Sequence, residues 1–575
     1  MTAFTLEDVA WGQPRVIQTR NGPRRIREWS IPAGDHPFWR LWRKGYLREQ
    51  GYSIRKWKQQ WQLTEWREAD GTEPVDVPDK TAAAKQQTER FHNYEQVDAE
   101  LDEELLERFR EVALIYEQIK EETGKDYRYQ LPHIKRIVAA LVNYDDDGAL
   151  DASDTGTGKT PVACAVARVL GCDVFVVCPL NQITPWERMA RRFGVKLVAI
   201  NYEQLRTGRS GFGKWRYHVN KRTKKREPVE FVYSNRLDRD QVLFVFDECH
   251  KLKDYKTQNC IMGVSALDQG FKVMALSATA VDNPMHMKFV ALLTGLIRHP
   301  MEFLGFMTEH GVKKGRWGYQ FVGGRDVLSL LHRKIFPAHG SRMRIADLGD
   351  RFARTQIISE AYNMGAQSAA IREAYRVMNE AIAKLEEARA KDRAKAAAKG
   401  YNVLIITERL RARQLVELLK VPTLEAMARD ALAEGNAVIV ILNYQDSINE
   451  LSKRLRCVNT ITGDDKPEAR QRLIDRFNAD DESLVIMNIK AGGLGIDLHG
   501  TREGKTRVSL ISPTDSGQDI KQAFGRPRRA YGAPNIQKVI WAAGTVEEAV
   551  CTRFRERIQR IDIFNDDQLD DVLKI

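Results

Sequence analysis

The sequence predicts an α/β protein with two parallel-sheet lobes, a helical insertion between them and a small Trp-rich α+β domain at the amino terminus. Short β-rich apolar runs alternate with helical patterns over residues 126–300, the form of a parallel sheet covered on both faces. The alternation stops over 301–429 and resumes over 430–555. Seven of the eleven tryptophans crowd into the first 70 residues, which sets that stretch apart.

In the amino-terminal domain (1–70), Trp11, Trp29, Trp39, Trp42, Trp57, Trp61 and Trp66 accompany Asn21-Gly22, a hairpin signal because both residues tolerate positive φ. The flanks of that turn are expected to pair, with a helix over 36–48 and a strand pair over 52–66 to follow. Residues 71–125 read as linker and helix: Pro and Asp mark 72–80, and helical apolar spacing covers 99–122. In the first lobe (126–300), strands are expected at 148–152, 174–178, 197–200, 242–246 and 273–276. Over 301–429 strands are expected to vanish. There 362–399, rich in Ala, Lys, Glu and Arg, predicts a long exposed helix or helical hairpin. The second lobe (430–555) is expected to carry strands at 438–442, 484–488, 508–511 and 539–541, and 556–575 remains as a tail.

A chain of 575 residues exceeds what one core usually supports. Lys and Arg total 90 against 78 Asp and Glu, and the net charge of +12 favours a polyanionic partner. Seven scattered cysteines form no C-x-x-C pair, which argues against zinc and for a reducing compartment. The first residues lack the pattern of a signal peptide, and no apolar run is long enough to span a bilayer. The expectation is a soluble intracellular monomer with no membrane partner, in cytoplasm or nucleus, or phage-encoded in a bacterial host.

Asp154-Thr155-Gly156-Thr157-Gly158-Lys159-Thr160 follows an apolar strand and precedes a helix, the context a phosphate loop requires. Small residues let backbone N–H groups approach the phosphates, Lys159 neutralises charge and the Thr160 hydroxyl reaches Mg²⁺. Ser153 stands where the usual pattern has its first glycine. The 242–246 run delivers Asp247-Glu248 to a strand's carboxyl edge, where ligands collect in open α/β sheets. Asp247 would hold Mg²⁺ through water and Glu248 would orient the attacking water, although two acids after a strand also suit a plain helix start. Far along the chain, Gln522-Ala523-Phe524-Gly525-Arg526-Pro527-Arg528-Arg529 offers arginines for a transferring phosphoryl group. The two segments read as one ATP site split between lobes. Tyr129-Gln130 offers a ring and an amide to an adenine edge, and the Ser277 and Thr279 hydroxyls would link the nucleotide pocket to a polymer track.

The order Gln130, Lys159, Asp247-Glu248, Ser277-Ala278-Thr279, Gly492-Gly493-Leu494-Gly495, Gln522 and Arg529 resembles superfamily 2 helicases, and within them the Swi/Snf group of DNA translocases. The marks of that group are Val177-Cys178-Pro179-Leu180 with Trp186, Asn201-Tyr202-Glu203, Asp247-Glu248-Cys249-His250, Ala491 to Leu498 and Gly544-Thr545-Val546-Glu547-Glu548. The resemblance covers about 126–555. It implies RecA-like lobes with ATP and Mg²⁺ at their interface. Gln130 would read adenine; Asp154, Thr155, Gly156, Thr157, Gly158, Lys159 and Thr160 would hold phosphates and magnesium. Asp247, Glu248, Gln522, Arg526 and Arg529 would act in hydrolysis, with Gly495 and Asp497 near the nucleotide. Three departures lean toward helicases that separate strands: Ser277-Ala278-Thr279 in place of Thr-Gly-Thr, no Trp-Asn-Pro over 512–519, and Gly525 in place of an acid.

Lys214, Arg216, Lys221, Arg222, Lys224, Lys225 and Arg226 form an acid-free basic run suited to phosphate contact, although a solvated loop looks the same. Rings and cations interleave at Trp39 to Lys44 and at Arg55 to Trp61, as on surfaces that stack unpaired bases, though small domains also bury such tryptophans in their cores. The resulting expectation is a DNA-stimulated ATPase moving on duplex or branched DNA, with single strands as a further partner. Two alternatives stay open: an RNA helicase, or a nucleic-acid-binding scaffold that uses ATP only as a switch.

Overall fold

The computed structural model describes residues 15–19, 22–32, 52–57, 60–68, 101–143, 148–220, 224–315, 318–391, 400–463, 465–490, 496–545 and 547–564. The chain divides into two units, 1–89 and 90–575. In the first, four antiparallel strands lie in the order Arg15–Thr19, Gly22–Pro32, Gln60–Glu68, Tyr52–Trp57. Thr19 pairs with Gly22, so the first two strands pair as expected, with Gly22 inside the second strand; Asn21 lies outside the described residues. The helix expected over 36–48 and the linker over 72–80 lie outside the described residues.

The second unit holds two six-stranded parallel sheets. The first runs Gly340–Ser341, Gly148–Asp151, Lys272–Leu276, Val242–Asp247, Asp173–Cys178, Leu197–Asn201. Its inner strands bury both faces, which is why they read as unbroken apolar runs. Phe175, Val177, Phe244, Phe246, Val273 and Ala275 face one core, while Val174, Val176, Leu243, Val245 and Met274 face the other. Asp247 pairs with Leu276 and Leu276 with Asp151, so three strands end in register at one carboxyl edge. The phosphate loop, Ser277 and the acid pair therefore leave the sheet side by side.

The other sheet runs Thr355–Tyr362, Asn535–Ala542, Arg507–Ile511, Ala437–Leu442, Leu484–Asn488, Thr460–Ile461. It too has two cores, one with Val438, Val440 and Leu510 and one with Ile439, Ile441 and Ile511. The α/β class with two parallel-sheet lobes and a helical insertion holds.

The stretch from 301 to 429 corrects the expectation that strands vanish there. Val312–Gly315 and Gly318–Phe321 form an antiparallel hairpin, Gly340–Ser341 returns to edge the first sheet, and Thr355–Tyr362 edges the second. The first three of these strands are four residues or shorter, and Thr355–Tyr362 mixes Thr, Gln, Ser and Glu with its apolar residues because it is paired on one side only. The helical part is Gln367–Lys391 followed by Gly400–Ala433. These two helices pack together through a stripe that includes Ile371, Tyr375 and Val416, while most of Gln367–Lys391 is exposed. Among the described residues no helix is long and apolar enough to cross a membrane.

Candidate functional site

The loop from Ser153 to Gly158 joins Gly148–Asp151 to the helix Lys159–Leu170. Gly156 and Gly158 have φ of +94° and +99°, values that favour glycine. Space is equally decisive. A Cβ on Gly158 would lie 2.2 Å from Gln130 Nε2, and one on Gly156 would lie 2.3 Å from the Arg528 carbonyl oxygen. Lys159 Nζ donates to the carbonyl oxygens of Ser153 (3.0 Å) and Asp154 (3.2 Å), inside the loop. Thr160 lies half-buried in the helix's first turn.

Ser153 has a reason to replace glycine. Its N–H donates to Asp151 Oδ1 (2.9 Å) and its hydroxyl accepts from Met343 N–H (3.0 Å). His133 bridges Asp151 Oδ2 (3.2 Å) and Ser341 Oγ (2.8 Å) in the same buried cluster. The segment 340–345 is thereby fastened to the outside of the loop. Asp154 completes the fastening: its carboxylate takes Arg342 Nη2 at 2.6 Å and the Ile345 N–H at 2.9 Å. Although burial opposes it, the charges of Arg342 and Lys521 hold this carboxyl well below its usual range. Asp154 was expected to face the nucleotide; its side chain is committed to the loop's outer brace.

Gln130 braces the loop from the other side. It is 2% exposed, Nε2 donates to the Thr157 carbonyl oxygen (2.8 Å), and Oε1 accepts from the Tyr116 hydroxyl (2.6 Å). One N–H and one lone pair of the amide are thus engaged in supporting the loop. Tyr129 joins it by donating to the Thr157 carbonyl oxygen at 3.1 Å.

Asp247 ends its strand buried, with Oδ2 accepting from Trp186 Nε1 (3.0 Å) and Oδ1 from the Glu248 N–H (2.9 Å). Burial and the adjacent Glu248 push its carboxyl up. Glu248 has φ +53°, a strained setting for a non-glycine residue and of the kind that collects at functional sites. Burial raises its carboxyl, but the hydrogen bond and charge of His250, with Lys159 and Arg526, outweigh that and bring it down. In the sequence His250 reads only as part of a motif, with no role of its own. Its Nδ1 lies 3.1 Å from Glu248 Oε2 and 3.1 Å from Ser277 Oγ, and its Nε2 lies 3.3 Å from Gln522 Nε2 of the second lobe.

The second lobe meets the loop directly. A Cβ on Gly525 would lie 2.6 Å from Thr155 Cβ, which is why this position cannot carry an acid here. Arg529 pairs with Asp497, and its Nη1 donates to the carbonyl oxygens of Gly525 (3.0 Å) and Arg528 (2.7 Å). Arg526 is buried and donates to the Ile496 carbonyl oxygen (3.1 Å). Burial pushes both guanidinium groups down to about 10, with Glu248 opposing it, so both stay cationic at neutral pH. Bare loop backbone, one lysine, a hydroxyl, two acids and two arginines form a donor set that fits a magnesium nucleotide.

Ser277 and Thr279 were expected to touch nucleic acid. At 0% and 1% exposure their hydroxyls face each other, that of Ser277 also meets His250, and the Thr279 carbonyl oxygen accepts from Gln518 Nε2 (3.1 Å). They link the lobes rather than front a polymer. The basic run lies on the hairpin Gly213–Val219 and Arg226–Tyr233. Lys214, Arg216, Lys224, Lys225 and Arg226 are exposed there, with Arg226 stacked 4.8 Å over Tyr217 and Arg216 paired with Glu230. Lys221, Arg222 and Gly495 lie outside the described residues.

Two family models match the chain: a helicase conserved C-terminal domain over 411–531, and the res subunit of type III restriction enzymes over 123–282. A protein of Acanthamoeba polyphaga mimivirus, provisionally named an ATP-dependent RNA helicase, is 30% identical over 500 residues, covering 81% of this chain and 89% of its own length. Among solved structures, S. cerevisiae Dbp5 bound to RNA and ADP BeF3 aligns over 83% of this chain and 94% of its own, at 11% identity and a TM-score of 0.39.

Proposed function

The chain belongs to the superfamily 2 helicases, and from that premise we propose that it hydrolyses ATP between its two lobes to act on RNA. The observation that carries the hydrolytic part is the approach of Arg529 to the phosphate loop: Nη1 is 2.8 Å from where a Cβ on Gly156 would lie. RNA is favoured over the duplex DNA suggested by the Swi/Snf-like motifs because the mimivirus relative, similar over most of both chains, carries an RNA helicase name. The Ser-Ala-Thr motif at 277–279 leans toward strand separation and does not choose between RNA and DNA.

In this reading Lys159 and the loop N–H groups grip the phosphates, and Glu248 orients the attacking water. Mg²⁺ held through Thr160 and Asp247 would neutralise the phosphate oxygens. Arg526 and Arg529 stabilise the transferring group from the second lobe, a contribution of about 10³–10⁵ in rate. His250, touching Glu248, Ser277 and Gln522, ties water positioning to lobe closure. The exposed cations of the 213–233 hairpin supply phosphate contacts, which give affinity and salt sensitivity without sequence reading.

The test is ATP turnover and strand release on matched single-stranded RNA, duplex RNA, single-stranded DNA and duplex DNA. RNA is expected to stimulate turnover most and RNA duplexes to be opened. Stimulation by duplex DNA alone, with displacement of a triplex strand, would overturn the RNA assignment in favour of a DNA translocase.

A further inference from the structure

Two residues after Arg529 the backbone does something its sequence does not announce. Tyr531 takes φ +61°, a left-handed setting that a bulky side chain adopts only when its surroundings impose it. The Arg529 carbonyl oxygen accepts from Gly532 N–H at 3.1 Å, closing a four-residue turn with Tyr531 third, the position where glycine normally supplies positive φ. What imposes the conformation is the first lobe. The Tyr531 hydroxyl accepts from the Asp126 N–H and donates to the Asp126 carbonyl oxygen, both at 2.9 Å. Its ring meets Tyr127 edge-on at 5.6 Å, and its N–H donates to the carbonyl oxygen of Arg351, in the connection between lobes, at 2.7 Å. Ala530 forms a β-bridge with Phe352 of the same connection.

These contacts converge on the loop. Asp126 and Tyr127 lie just before Tyr129 and Gln130, both bonded to the Thr157 carbonyl oxygen, and Arg351 sits 5.7 Å over the Tyr129 ring. From the turn carrying Arg529, a short path of bonded groups thus reaches the phosphate loop without passing through the nucleotide.

We infer that Tyr531 is a positioning residue: docked on Asp126 and Tyr127, it sets the distance at which Arg529 meets the phosphate loop. The inference rests on the two-lobe ATP site proposed above. A hydroxyl that both accepts from and donates to the backbone of one residue fixes direction as well as distance, and these contacts hold the turn in a left-handed setting it would otherwise leave.

The experiment is steady-state ATP hydrolysis at saturating nucleic acid by full-length Tyr531→Phe, which keeps the ring and removes the two hydrogen bonds. The kcat is expected to fall about tenfold, because small misplacements of a catalytic group are costly, while KM for ATP and Tm stay near wild type. On an Arg529→Lys background, the same change is expected to cause no further loss. A kcat that is unchanged, or that falls equally on both backgrounds, overturns the inference. If Tyr531→Phe unfolds, Tyr531→Gly, whose backbone suits φ +61°, must show the same kcat loss or the inference fails. Normal turnover in Arg529→Lys and Arg529→Ala would instead overturn the underlying site, a separate result.

Discussion

Arg529 Nη1 and Gly156 meet across the cleft so closely that a methyl group on Gly156 would lie 2.8 Å from the guanidinium and 2.3 Å from the neighbouring Arg528 carbonyl oxygen. Two segments separated by most of the chain thus share one small space. Only glycine leaves room for the second lobe to close on the loop.

Gly156→Ala is therefore expected to lower kcat at least tenfold, since it both strains a residue at φ +94° and wedges the lobes apart. Steady-state ATPase with parallel thermal melts checks this. Wild-type turnover would mean that the lobes need not approach this closely.

Lys420, on the helix Gly400–Ala433, and Glu547 of the second lobe form an ion pair at 2.7 Å, 1% and 7% exposed. Removing one partner strands a buried charge, so Lys420→Met is expected to destabilise by about 3 kcal/mol or more. Lys420→Met with Glu547→Gln should recover part of that loss. Equilibrium urea denaturation of the single and double variants decides it.

His499 is held neutral: burial, with the charges of Lys125 and Arg507, depresses it to about 4. The unfolded chain takes up a proton near pH 6.5 that the folded chain refuses. The stability present above that pH should be lost as pH falls toward 4, by up to about 3 kcal/mol. His499→Gln should flatten the dependence between pH 6.5 and 4.5, read from denaturation midpoints.

The residues legible in the sequence are those whose chemistry is local. Lys159, Asp247 and Glu248 announce themselves at the ends of apolar strands, and those strands appear as runs because both faces are buried. Arg526 and Arg529 stand out as guanidinium groups in a short motif. The supports of these residues were hidden because they come from afar. Asp154 is held by Arg342 and Ile345, and Gln130 by Tyr116 and Thr157. Neither pairing leaves a periodicity or a spacing to find. Tyr531 was hidden in another way, since Gly532 beside it is the residue one would choose for the left-handed position. The Thr355–Tyr362 strand was lost because an edge strand with one partner tolerates polar residues.

The most direct measurement is ATP turnover at saturating nucleic acid by Arg529→Ala beside Lys159→Ala, with binding of a fluorescent nucleotide and of the polymer followed in parallel. The split-site account expects Arg529→Ala to lose about 10³-fold in kcat while still binding nucleotide and polymer, as an arginine supplied from a second lobe should. Wild-type turnover in purified, folded Arg529→Ala would contradict it.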